Sequence, residues 1–352
     1  MRNQSIIKVG ISIGDMNGIG PEIILKSLED KRMLELFTPV IFANSKMMSF
    51  FSKHFKTKVQ FNGIPSADKA IDGKINVVNV WKEGVKINFG EEDKLIGEYA
   101  VKSLEAATQA LIKNDVQTLV TAPINKNSIQ SDKFNFPGHT DYLAQELKGE
   151  SLMFMVSESI KVGLLTDHVP IKDISNHITT KSLQDKVNAI HNSLKMDFGV
   201  ETPKIAVLGV NPHSGDNGVI GLEDEEIIKP ALKKFVDAGK FVFGPYAADS
   251  FFGTKQHKKF DAILAAYHDQ GLIPFKTLSF GEGVNYTAGL NRVRTSPDHG
   301  TAFDIAGKGK ANANSFNEAI FTSIKIYKNR MEYINLKKNA LEPQKTSHNN
   351  RK

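Results

Sequence analysis

Short apolar runs alternate with amphipathic stretches along most of the chain. Residues 6–13 (IIKVGISI), 38–43, 59–61, 75–80, 118–122, 152–156, 162–165, 205–209 and 262–266 are apolar enough, or alternate regularly enough, to be strands. Between them apolar positions recur every three to four residues, which predicts helices over 45–55, 91–113, 180–197, 223–236, 248–258 and about 315–337. Two more begin after Pro21 and near Tyr142. In 91–113, Leu95, Ala100, Val101, Leu104, Ala107 and Leu111 keep the helical spacing, and Glu91 and Glu92 suit its positive end. The runs 152–156 and 162–165 are close enough to form an antiparallel pair. Strands alternating with helices predict an α/β protein with a mostly parallel sheet. Residues 1–125 and 256–338 are expected to form one domain and the loop-rich 126–255 a second, with 339–352 a loosely held polar, basic tail.

Composition narrows the function. At 352 residues, 40% of them hydrophobic, the chain can bury a sizeable core. It has no run of eighteen apolar residues and no signal-peptide pattern, so a cytoplasmic protein without membrane contact is expected. There is no cysteine, which excludes disulfides, thiolate ligands and cysteine nucleophiles. The net charge of +6 lies largely in the tail, where Lys337, Lys338, Lys345, Arg351 and Lys352 face Glu342 alone. With no basic stripe on the body, nucleic acid is not an expected partner.

The candidate chemistry sits where strands end. Residues 14–22 (GDMNGIGPE) read as a tight strand-to-helix turn with Pro21 in the first helical turn, a place where backbone N–H groups meet anions. His168, His213 and His268 each follow a predicted strand, in GLLTDH, AVLGVNPH and AILAAYH. If those strands are neighbours, three imidazoles converge on one edge, a ligand set that suits Zn²⁺ or Co²⁺ with an open position. Such an ion would act as a Lewis acid on an alcohol. Asp249 and Asp269 could accept its proton, or could be a helix cap and a histidine-orienting acid respectively. Lys276 and Arg294 offer charge-assisted bonds to an anionic substrate. Arg292 and Arg294, two apart, would point to opposite faces of an extended segment. His139 has no evident core role, and Thr140 is either a helix cap or a ligand contact.

Together with TAPINK (121–126), FPGHTDYLA (136–144), TDHVP (166–170), GVNPHSGDNGVIGLED (209–224), AYHDQGLIPFK (266–276) and residues 283–312, the opening GDMNGIGPE makes the chain resemble the 4-hydroxythreonine-4-phosphate dehydrogenases of pyridoxal phosphate biosynthesis, collinearly over about residues 8–330. Its first and last pieces are similar to signatures of the isocitrate and isopropylmalate dehydrogenases, whose fold that family shares. The resemblance implies that fold, a two-domain α/β/α subunit that is isocitrate/isopropylmalate dehydrogenase-like, and a homodimer with active sites at cleft and interface. It implies His168, His213 and His268 as ligands of one divalent ion (Zn, Mg or Co). His139, Thr140, Lys276, Asn285 and Arg294 become substrate contacts. The loop holding His299, Gly300, Thr301, Asp304 and Asn312 becomes the site of NAD or NADP, which is not of the Rossmann type. Met16, Asn17 and Asp141 depart from the family's usual GDPAGIGPE and GHTE.

The implied reaction is oxidation of the C3 alcohol of 4-phosphooxy-L-threonine to a 3-oxo acid, which loses CO₂ to give 3-amino-2-oxopropyl phosphate. A sister dehydrogenase for a phosphorylated sugar acid or a cyclic diol would carry similar motifs. A phosphate acyltransferase shares the general fold but needs no three-histidine metal site.

Overall fold

In the computed structural model, which describes residues 6–132 and 134–340, the apolar runs join into one twelve-stranded sheet. Its strands are β1 (Lys8–Ser12), β2 (Thr38–Ala43), β3 (Phe61–Ile64), β4 (Ile75–Asn79), β5 (Thr118–Thr121), β6 (Gly149–Val156), β7 (Lys161–Leu164), β8 (Lys204–Leu208), β9 (Phe241–Tyr246), β10 (Ala262–Ala265), β11 (Val284–Leu290) and β12 (Val293–Pro297). The order is β3-β4-β2-β1-β5-β12-β11-β6-β7-β10-β8-β9. From β3 to β12 every pairing is parallel, and from β7 to β9 every pairing is parallel again. Antiparallel β11 and β6 join the two sets. The expected α/β class and mostly parallel sheet are therefore present, as is the antiparallel pairing of β6 with β7.

The two sets are the sheet's two halves. β10 belongs to a segment expected in the first domain, yet it lies between β7 and β8.

Helices cover both faces because their apolar stripes need a partner. The helix Lys94–Ile112 lies on β1, β2 and β5, and buried Ser103 on it donates to the Phe42 carbonyl (2.5 Å) and accepts from Ile13 N–H (2.9 Å). The helix Asn314–Lys338 packs on β12, β11 and β5. Its Arg330 is buried with Asp197 (2.9 Å), donates to the Tyr286 hydroxyl (2.9 Å) and to the Leu290 carbonyl (3.2 Å). Asp197 also accepts from Tyr286 (2.6 Å) and Ser193 (2.7 Å), so every charge in this buried cluster is paired. A cluster of that kind pins two helices to the junction strand β11.

Several elements differ from the periodicity. The 248–258 helix is broken at Lys255, whose φ of 59° is left-handed. The 223–236 helix opens with a π turn, Asp224–Ile228, where the carboxylate of Asp224 is turned back onto the N–H groups of Val210 and Asn211 (3.0 Å each). The tail lies outside the described residues from 341 onward.

Candidate active site

A cleft of about 580 Å³ opens over the junction strands, and its floor follows from β-alternation. Arg294 and Ser296 on β12, Asn285 on β11, and Ser151, Met153 and Met155 on β6 turn to the same side. Thr121 at the end of β5 and Lys126 close one flank; His168 and His268, beyond β7 and β10, close the other. His139 and Thr140 enter from the helix His139–Leu147, and Lys276 from the helix His268–Leu278. Thr140 does not cap its helix, because the N-cap is Gly138.

The polar groups in this cleft are conspicuously short of partners. Arg294 is 2% exposed, yet it is held only by hydroxyls: Nε and Nη2 donate to Thr121 Oγ1 (3.1 and 2.5 Å), and Nη1 donates to Thr287 Oγ1 (3.0 Å). Burial pushes this guanidinium down to about 9, so it remains charged at neutral pH with no carboxylate beside it. Arg292, one peptide outside the strand, is half-buried and donates to the Ile112 carbonyl (3.1 Å). His139 Nε2, Asn285 Oδ1 and His299 Nε2 are shielded and have no partner among the described residues. Burial, with the Arg294 charge second, holds the His139 imidazole well below its ordinary value and therefore neutral. A buried cation and several orphaned polar atoms around one space are the inverse image of an anionic, multiply hydrogen-bonding ligand.

The three strand-end histidines do follow adjacent strands, in the order β7, β10, β8. After β7, Leu165 and Thr166 donate to the Ala265 and Ala266 carbonyls, so the next residues travel beside the end of β10. His168 and His268 are brought together as a result, their ring centroids 6.0 Å apart. Asp269 accepts from His268 Nδ1 (2.7 Å), which leaves Nε2 of a neutral ring as a lone-pair donor. Asp167 stands 4.0 Å from His168 Nδ1. His213 does not join them. It sits in the loop Pro212–Gly218, exposed, with five successive residues from His213 to Asn217 in the left-handed region. Among the described residues no three His, Asp or Glu side chains are arranged to hold a metal ion. What one chain offers is two imidazoles, that of His268 oriented by a carboxylate, a donor set that fits a divalent ion but lacks a third ligand.

Asp249 lies elsewhere. It lines a second cleft, of about 460 Å³, with Asp269, Tyr267 and Ile273 on the other flank of the helix His268–Leu278. It is inside the first turn of its helix, whose cap is Ala247.

The glycine-rich loop is clamped to residues 14–22. Ile19 N–H donates to the Thr301 carbonyl (3.0 Å), and a Cβ on Gly18 would stand 2.9 Å from that same oxygen. Buried Glu22 accepts from Ala311 N–H (2.8 Å) and Lys26 (2.8 Å), and Lys26 also reaches the Gly309 and Ala311 carbonyls. His299 and Gly300 reach the cleft, whereas Thr301, Asp304 and Asn312 follow the loop away from it, the latter two exposed. The GDMNGIGPE turn therefore serves first as the seat of this loop. Thr121, Thr287 and Lys126 were not apparent as site residues from the sequence. Threonines in strands are common, and only the tertiary position of Arg294 gives these two a role.

The model for the pyridoxal phosphate biosynthetic protein PdxA matches residues 35–323. A 4-hydroxythreonine-4-phosphate dehydrogenase of Bacteroides thetaiotaomicron is 44% identical over 340 residues, covering 96% of this chain and 93% of that protein. One of Sulfurihydrogenibium is 39% identical over 321 residues, covering 91% and 98%. The crystal structure of the 4-hydroxythreonine-4-phosphate dehydrogenase of Klebsiella pneumoniae superposes with a TM-score of 0.80 at 31% identity, covering 92% of this chain and 99% of that one. Sequence and architecture agree over nearly the whole described chain, and the protein belongs to the PdxA family of pyridoxal phosphate biosynthetic proteins.

Proposed function

We propose that the chain is a 4-hydroxythreonine-4-phosphate dehydrogenase. It oxidises the C3 alcohol of 4-phosphooxy-L-threonine, and the resulting 3-oxo acid loses CO₂ to give 3-amino-2-oxopropyl phosphate. The observation that carries this reading is the buried Arg294, charged and without a carboxylate, in a cleft whose His139 and Asn285 also lack partners. When bound, NAD or NADP supplies the hydride acceptor and one divalent ion (Zn, Mg or Co) supplies Lewis acidity toward the alcohol oxygen.

The chain's own residues do the rest. Arg294 and Lys276 neutralise the substrate's anionic groups, Arg294 in a fixed planar fork. Thr140, Asn285 and neutral His139, which can donate from one nitrogen and accept at the other, fix its orientation. His168 and His268 would hold the metal, with Asp269 keeping the tautomer of His268 that leaves Nε2 free. Asp269, hydrogen-bonded to His268, and Asp249 are the two candidates for taking the alcohol's proton. His299, Gly300, Thr301, Asp304 and Asn312 belong to the dinucleotide segment.

The homodimer belongs to the same proposal. Asp249 and Asp269 line a cleft with Ile273 and Leu278, 63% and 47% exposed, and Phe280, two residues beyond Leu278, is 92% exposed, much apolar surface to leave in water. A second subunit on that face would cover it and bring histidine ligands from both chains to one ion, His213 among them. The division into two domains, roughly 1–125 with 256–338 and 126–255, and a cytoplasmic location are parts of this reading; among the described residues no helix is long and apolar enough to cross a membrane.

The deciding experiment is turnover of 4-phosphooxy-L-threonine with NAD and with NADP, followed by the absorbance of the reduced nicotinamide, before and after chelation with EDTA. Turnover lost on chelation and restored by a divalent ion supports the reading. Activity only on a phosphorylated sugar acid or a cyclic diol would make the chain a sister dehydrogenase. Acyl transfer to phosphate, unaffected by EDTA, would make it an acyltransferase.

A further inference from the structure

We propose that Thr121 is both the anchor of Arg294 and a direct hydrogen-bond donor to the substrate oxyanion that Arg294 binds. The inference deepens the reading of the cleft as a site for a phosphorylated, anionic substrate and rests on it. A guanidinium has five N–H donors. Three are accounted for within the fold, two at Thr121 Oγ1 and one at Thr287 Oγ1. Two remain for the cleft, the number a bidentate oxyanion takes.

Thr121 has its own accounting. Its oxygen accepts both Nε and Nη2, so its lone pairs are occupied by the guanidinium. The hydroxyl hydrogen is then fixed by exclusion: it cannot point back at Arg294 and must donate away from it. Thr121 lines the cleft, whereas Thr287, which receives the third bond, is not among the lining residues. An oxyanion against Arg294 is thus presented with two N–H groups and one O–H from a single rigid unit on β5 and β12, which are paired strands. The choice of hydroxyl has a further consequence. A carboxylate at position 121 would hold the fork as firmly but would cancel its charge, and a hydroxyl holds it while leaving the full positive charge for the ligand.

The test uses three variants of the full chain: Thr121→Val, Thr121→Ser and Thr287→Val. Each is titrated calorimetrically, without dinucleotide, with inorganic phosphate and with 4-phosphooxy-L-threonine; melting temperature is recorded alongside. Removing the cleft-facing hydroxyl in Thr121→Val should raise Kd about tenfold or more, since a bond to a charged group and the aim of Arg294 are both lost. Thr121→Ser should restore affinity to within about threefold, and Thr287→Val, which loosens the fork without removing a donor to the ligand, should weaken binding by about threefold. In turnover the Thr121→Val change should fall mainly on KM. Wild-type affinity for both ligands in Thr121→Val would overturn the proposal, as would a failure of serine to restore binding. Equal losses in Thr121→Val and Thr287→Val would reduce Thr121 to an anchor and remove its role as donor. If wild type binds phosphate but neither binds nor oxidises 4-phosphooxy-L-threonine, the substrate reading fails while the phosphate titrations still judge Thr121. Binding of neither ligand by wild type would sink both.

Discussion

Replacing Arg294 with methionine should separate function from stability. The side chain is 2% exposed, and burial alone brings its guanidinium from 12.5 down to about 9. A depression of that size corresponds to a cost on the order of 5 kcal/mol for keeping the charge in the empty cleft. Methionine fills much of the same volume without that cost, but it strands the hydroxyls of Thr121 and Thr287, at about 1–3 kcal/mol each. The two effects nearly cancel. Ligand-free Arg294→Met is therefore expected to melt within a few degrees of wild type, or slightly above it. Catalysis should respond very differently. Two charge-assisted bonds to the substrate, at roughly 1.5–3 kcal/mol each, correspond to about two to four orders of magnitude in kcat/KM. Arg294→Lys should recover part of this, because a point charge replaces a fork. Arg292→Met is the internal control: outside the cleft lining and bonded to the Ile112 carbonyl, it should change kcat/KM by less than about threefold. Calorimetric melting and steady-state kinetics on the three variants check the argument. A fall of ten degrees or more in Arg294→Met with kcat/KM intact would show that Arg294 is a structural cation, and equal kinetic losses at 292 and 294 would show that strand alternation does not select between them.

Other perturbations follow from the same structure. Asp197→Ala should lower stability by roughly 3–5 kcal/mol, since Arg330 would be left buried and unpaired; urea denaturation would show it, and a loss below 1 kcal/mol would contradict the cluster's role. Asp15 is buried, and its carboxyl is pushed up to about 6 from 3.8. The folded state holds that proton more tightly than the unfolded one, so stability should be lost as pH rises from about 4 through about 6, by at most about 3 kcal/mol. Asp15→Asn should abolish this slope, gaining on wild type above pH 6 in denaturation curves taken from pH 4 to 8. Gly18→Ala drives a methyl against the Thr301 carbonyl and should speed hydrogen exchange across 299–312 while leaving β1 and β5 protected. His213→Ala and His268→Ala should each lower bound divalent metal, measured by elemental analysis of purified protein, with melting temperature preserved.

Periodicity carried the prediction where burial is simple. β1, β2, β5, β8 and β10 are apolar on both faces and were legible as strands, as were the long helices Lys94–Ile112 and Thr180–Met196. β11 and β12 were read only as a functional stretch, because Asn285 and Arg294 interrupt the apolar pattern that marks a buried strand. The reason for the interruption is the site itself, since those side chains face the cleft. The strand-end rule for the histidines was sound for the strands, which are neighbours, and it brought out the His168–His268 pair. It does not reveal the left-handed turn at 213–217, a loop flanked by Val210, whose N–H donates to Asp224 fourteen residues on. Thr121 and Thr287 were invisible for a different reason: their roles are defined by a residue 173 positions away for one and seven for the other, across strand pairings that no local pattern encodes.

The two buried arginines show why the cleft can be read as functional from chemistry alone. Arg330 and Arg294 sit against the same junction strand, and both are nearly sealed from water. Around Arg330 the fold supplies everything a buried cation requires: a carboxylate, a phenol and a main-chain carbonyl, with the carboxylate in turn bonded by Tyr286 and Ser193. Around Arg294 it supplies two hydroxyls and stops. The sequence has no shortage of acids, yet among the described residues none is paired with it, and the neighbouring His139 is kept neutral rather than paired. A protein that satisfies one arginine fully can satisfy another, so the second deficit is not a limit of the fold. On the proposed function it is sustained because an anion would complete the set on binding, and the unfavourable charge of the empty cleft would become binding energy for the substrate.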